Sequence, residues 1–90
     1  MKTKDLKKLK IVIKGEWFDL ILSGKKKVEY REQSDFWVSR LYDENDKKRK
    51  YDQIEFINGY NKNARRLLTK YEGFSSKSGL FNIRIGKIIK

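Results

Sequence analysis

Apolar and polar positions alternate in short runs along this chain, and the runs predict five strands and two short helices. Over 10–14 Ile11 and Ile13 share one face, the pattern of a strand in a curled sheet. Between 15 and 24 the spacing lengthens to three and four: Trp17, Leu20 and Ile21 form one set and Phe18, Ile21 and Leu22 another. This predicts a short helix with a broad apolar face that must be buried, Trp17 included, with Glu16 and Asp19 in its first turn and Gly24 ending it. Residues 27–32 return to a period of two. Lys27, Glu29 and Arg31 face one way and Val28 and Tyr30 the other, so Tyr30 is expected in the core.

Ser34 can cap a second helix running to about Asp43, with Phe36, Trp37, Arg40 and Leu41 on its apolar-leaning side. Residues 43–50 contain no apolar side chain and read as a solvated loop, in which Asp43, Glu44 and Asp46 offset part of the charge of residues 47–50. Residues 51–57 alternate with Ile54 and Phe56 inward, and Asn58-Gly59 signals a reversal into a hairpin partner at 64–71. A turn over 75–79 precedes a last strand through 80–89. The first ten residues hold five Lys and one Asp around Leu6 and Leu9, a basic lead-in expected to fray over 1–7.

Composition narrows the class. Nine Ile, three Val and twelve aromatics against one Ala favour sheet, so the expected fold is a single mainly β domain with two short helices. The absence of Cys and His excludes disulfides, thiolate and imidazole metal sites and His-dependent catalysis. Asp43, Glu44 and Asp46 lack the Gly and distal Glu of a calcium loop, so no metal or other cofactor is expected. Lys and Arg number 23 against 12 acids, a formal charge of +11 that suits a polyanionic partner. No apolar run is long enough to span a membrane or to act as an export leader, and a cytoplasmic monomer is the expectation.

The densest polar constellation is the string Gly24-Lys25-Lys26-Lys27-Val28-Glu29-Tyr30-Arg31. It fits the GxKxxExR signature of the ASCH domain family, and the segment at 18–23 resembles the helix that introduces it. The resemblance extends to the strand and turn at 54–60 and so spans most of the chain. It implies a PUA-like small β-barrel of about five strands, with the signature residues lining a cleft that contacts RNA or a nucleotide. By that resemblance Lys26 and Arg31 meet phosphate, and Glu29 meets a base edge or a sugar hydroxyl. Each role suits its side chain, since Lys is a flexible point charge, Arg a planar fork of donors, and a carboxylate an acceptor for amino groups or a ribose 2′-OH.

Read without the resemblance, Glu29 and Arg31 can simply pair on one strand face while Lys26 caps the helix. Some small family members are amidohydrolases acting on acylated cytidine through a Thr nucleophile at the position of Glu29, and a carboxylate there argues against that activity. Others are ribonucleases, for which Lys26, Glu29 and Tyr30 are the residues that could serve in catalysis. Around the signature, Lys25, Asn58, Tyr60 and Arg65 are rim candidates, with Trp37 and Tyr60 the aromatics best placed for base stacking. Three classes follow: an RNA-binding module, a metal-independent hydrolase or nuclease, and a protein-interaction adaptor whose charge serves solubility.

Overall fold

The structure is a computed structural model that describes residues 6–89. It contains β1 (Lys8–Ile13), α1 (Gly15–Leu22), β2 (Val28–Glu32), α2 (Asp35–Leu41), β3 (Gln53–Asn58), β4 (Arg66–Lys77) and β5 (Leu80–Ile88). The strands form one sheet in the order β1-β3-β4-β5-β2, curled into a half-barrel. The expected mainly β fold with two short helices and five strands is therefore what the chain adopts.

The alternation that marks the strands is also what fills the core. Leu9, Ile11 and Ile13 of β1 meet Ile54 and Phe56 of β3, Leu67 and Phe74 of β4, and Phe81, Ile83 and Ile85 of β5. Burying each of these side chains contributes roughly 1.5–3 kcal/mol. Phe74 and Phe81 pack edge to face at 5.5 Å between ring centroids, a favourable quadrupole arrangement. From outside the sheet, α1 adds Phe18 and Ile21, and α2 adds Leu41.

Several boundaries differ from the sequence expectation. β1 starts at Lys8, because Leu9 continues the inward alternation of Ile11 and Ile13 and is buried. Lys7 is anchored: its main-chain N–H donates to Asp52 Oδ2 at 2.9 Å, and its carbonyl accepts from the Asp52 N–H at 2.8 Å. Residues 1–5, over which fraying is also expected, lie outside the described residues. α2 stops at Leu41 rather than near Asp43, because Tyr42 is extended. Ser34 does cap it, accepting from the Trp37 N–H at 3.3 Å.

The turn expected over 75–79 contracts to Ser78 and Gly79, both at positive φ, and Ser75 and Ser76 belong to β4. A two-residue turn of this kind matches the twist of the β4 and β5 ladder, which closes on the Lys77 and Leu80 pair. The hairpin signalled by Asn58-Gly59 is present as the antiparallel β3 and β4 pair.

Curling leaves the two edge strands, β1 and β2, facing one another without a backbone ladder between them. What bridges this seam is a side chain: Arg31 Nη2 on β2 donates to the Val12 carbonyl of β1 at 3.0 Å.

Candidate functional site

The signature begins where α1 stops. Gly24 has φ 83°, in the left-handed region open to glycine, and its N–H donates to the Ile21 carbonyl while the Lys25 N–H donates to that of Leu20. This pair of bonds is the Schellman termination, which satisfies the last carbonyls of the helix and redirects the chain into β2.

β2 then turns the expected polarity over. In an antiparallel ladder directly opposed residues share a face, and Glu29 lies opposite Ile83 while Arg31 lies opposite Phe81, both core residues. Glu29 and Arg31 therefore point inward, and Tyr30, opposite Asn82, points out. Glu29 is only 6% exposed, whereas Tyr30 is 55% exposed. The core placement expected for Tyr30 is thus corrected by the register, and that for Trp17 by crowding. An eight-residue helix cannot bury apolar side chains on every side, so Phe18 and Ile21 go in and Trp17 stays 44% exposed.

A carboxylate in this position needs partners, since an unpaired buried charge is strongly unfavourable. Glu29 Oε1 lies 3.3 Å from Lys26 Nζ, and Oε2 lies 2.6 Å from Arg31 Nη2 and accepts from Arg31 Nε at 2.8 Å. Lys26 Nζ also sits 5.4 Å from the ring centroids of both Trp17 and Tyr30, and the Arg31 guanidinium carbon lies 5.2 Å from that of Trp37. The charges are thus held rigidly by one another and by aromatic faces.

Above them opens a cleft of about 650 Å³ along the seam, lined by residues 12–14 at the end of β1, by Trp17, by Lys26 and residues 29–32, and by Gly59 and Tyr60. Trp17, Tyr30 and Tyr60 supply its aromatic lining, and Tyr60 is 93% exposed. Three cations, Lys14, Lys26 and Arg31, stand against two carboxylates, Glu29 and Glu32. Among the described residues its lining includes no Ser or Thr, and Tyr30 and Tyr60 are the lining residues that carry a hydroxyl.

Of the residues selected from sequence, Lys26, Glu29, Tyr30, Arg31 and Tyr60 are brought together here. Trp37 stands behind, stacked on Arg31, outside the cleft lining. The other three fall outside. Lys25 is exposed beyond the helix end. Asn58 packs its side chain against Gly15, where a Cβ would come within 3.5 Å of it. Arg65 is drawn onto α1 by an ion pair with Asp19 at 3.0 Å and by the Phe18 ring at 4.5 Å. Its neighbour Arg66 pairs with Glu55 at 3.5 Å. Sequence reasoning missed Trp17 as a wall of the cleft, although the excess of apolar residues in so short a helix was a signal that one of them must surface.

No helix among the described residues is long and apolar enough to cross a membrane. No protein-family model, no curated protein and no solved structure matches the chain.

Proposed function

We propose that the seam cleft binds a nucleotide unit of RNA, as the resemblance to the ASCH family implies, and that it binds without turnover. The observation that carries this reading is the buried Glu29 carboxylate, fixed between Lys26 and Arg31 at the base of an aromatic-walled cleft. A nucleobase is flat, apolar on its faces and polar on its edge. Trp17, Tyr30 and Tyr60 offer faces for stacking, and each such stack contributes about 1–3 kcal/mol. Glu29 is an acceptor already immobilised for an amino edge or a 2′-OH, and Lys26 and Arg31 keep donors for phosphate. Binding is favoured over hydrolysis because both carboxylate oxygens of Glu29 are engaged by cations and, among the described residues, the cleft lining offers no Ser or Thr nucleophile.

The test is a salt-titrated binding assay with single-stranded RNA. Wild type is expected to lose affinity steeply as salt rises, and Lys26→Ala to lower the slope of log K against log salt by about 0.7, the share of one phosphate contact on a single strand. A slope unchanged by Lys26→Ala, with affinity unchanged as well, would place the RNA elsewhere. Product formation monitored in the same samples should be absent, and RNA cleavage abolished by Glu29→Gln would make the cleft catalytic instead.

A further inference from the structure

A second basic depression lies at the opposite end of β1 and β3. Those strands pair from Lys8 with Gln53 at one end to Ile13 with Asn58 at the other. The seam cleft uses the Ile13 end, while the second depression forms around Tyr51 and Asp52, next to Gln53. It encloses about 500 Å³ between residues 48–52 and the β4 and β5 hairpin, and shares no lining residue with the seam cleft.

Its cations are positioned in an unusual way. Arg49 Nε donates to the carbonyls of Ser39 at 3.1 Å and Tyr42 at 3.0 Å, and Arg84 Nε donates to that of Glu72 at 3.1 Å. Both guanidinium groups are held through Nε by the main chain, leaving their terminal nitrogens as donors. Lys48 is pinned as well, donating to the Phe74 carbonyl at 3.0 Å with Nζ 4.6 Å from the Phe74 ring centroid. Among the described residues, none of Lys48, Arg49, Lys50 and Arg84 has a carboxylate within ion-pair distance. Asp52 is the one acid lining the depression, and its Oδ2 accepts the Lys7 N–H. The acids expected to offset residues 47–50 make no ion pair with them, and Asp43 Oδ1 is spent on the N–H groups of Asn45 and Lys47.

The backbone also makes room for this arrangement. Gly73 lies in an irregular stretch of β4 with φ 87°, and a Cβ there would stand 3.0 Å from Arg84 Nη2. The glycine lets the guanidinium lie against the strand. Lys48, Lys50 and Arg84 line the depression with Asp52 as its one acid, while Arg49 also borders a neighbouring depression with Asp43, Glu44 and Asp46, and an anion among the cations offsets their mutual repulsion. Fixed guanidinium forks match tetrahedral oxyanions and lose little side-chain freedom on binding.

We propose that this depression binds a phosphate group, independently of the seam cleft. Two sources share that chemistry, the phosphodiester backbone of a nucleic-acid strand and a free polyphosphate, and two probes separate them. One is a fluorescent all-abasic deoxyribose-phosphate decamer, which has no base to place in the seam cleft, and the other is inorganic pyrophosphate. Each is titrated against wild type, against the double variant Lys50→Gln/Arg84→Gln, and against Lys10→Gln/Lys77→Gln, which removes the same charge from exposed strand positions outside the depression. Thermal melts confirm that both variants fold.

For the decamer, Lys50→Gln/Arg84→Gln is expected to weaken binding about tenfold or more and to lower the salt slope by about 1.4, the share of two phosphate contacts. The control pair should stay within about twofold of wild type, as expected of cations that touch no phosphate. Pyrophosphate binding that is saturable and lost only in Lys50→Gln/Arg84→Gln identifies a free phosphate compound, and decamer binding alone identifies a strand backbone. Equal weakening by both pairs, the mark of undirected attraction to a +11 protein, overturns the proposal, as does the absence of binding by either probe.

Discussion

Glu29→Ala is expected to lower the stability of the folded domain by about 3 kcal/mol, the low end of the range for removing one partner of a buried ion pair. The substitution removes a carboxylate that is 6% exposed and leaves Lys26 and Arg31, with side chains only 16% and 25% exposed, facing each other without a counter-charge. For a domain of this length each kcal/mol is worth roughly 4–8 °C in Tm, so the midpoint should fall by about 15 °C. Glu29→Gln keeps the volume and one acceptor for Arg31 and should fall between the two. Urea denaturation monitored by far-UV circular dichroism measures both. A loss below about 1 kcal/mol for Glu29→Ala would mean that water screens the triad as it does a surface pair.

Arg31→Lys should cost about 2 kcal/mol despite conserving charge, because the planar fork and not the charge closes the seam. Arg31 makes two contacts to Glu29 Oε2, donates to the Val12 carbonyl across the gap between β1 and β2, and stacks on Trp37. A lysine ammonium carries charge to the same place, but it lacks the Nε donor that gives Glu29 its second contact and the flat face that stacks on Trp37 and aims Nη2 at both Glu29 and Val12. Amide exchange in β2 should accelerate along with the lower urea midpoint. If Arg31→Lys matches wild type in both, the seam is closed by packing alone and the bond to Val12 contributes little.

How far this protein could be read from its residues depends on where each signal is generated. Ile11 with Ile13 and Ile54 with Phe56 announce their strands because their alternation is local, and the inward face is set by the same apolar side chains that mark it. Gly24 as a helix terminator and Ser34 as a cap are local for the same reason. β2 is the opposite case. Its alternation reads as charged side out, and only pairing with Ile83 and Phe81 on β5, far along the chain, turns Glu29 and Arg31 inward. Lys26, Glu29 and Arg31 stand out as a group because their string resembles a family signature, but their burial and the exposure of Tyr30 are products of that distant register.

The rim shows the same limit. Arg65 stands close in sequence to Asn58 and Tyr60, yet Asp19 and Phe18 on α1 draw it away, and no local pattern encodes that competition. Residues 47–50 read as a solvated loop whose charge Asp43, Glu44 and Asp46 offset in part. The folded chain keeps Asp43, Glu44 and Asp46 beside Arg49 without an ion pair, tying Asp43 to main-chain amides and fixing Arg49 on the Ser39 and Tyr42 carbonyls at the end of α2. Gly73 had no local signal at all, since its role is set by Arg84 on the neighbouring strand.

The most direct measurement follows the indole N–H signals of Trp17 and Trp37, the two tryptophans of the chain, in a nitrogen-15 correlation spectrum during titration with single-stranded RNA and with the four nucleoside 5′-monophosphates. Trp17 lines the seam cleft and Trp37 stands outside it, so the Trp17 signal should shift saturably and further than that of Trp37. Glu29→Gln should weaken that response about tenfold or more, as expected from loss of a charged hydrogen-bond acceptor. A Trp17 signal that stays in place while RNA binds, or that responds identically in Glu29→Gln, would contradict a nucleotide site built on the buried carboxylate.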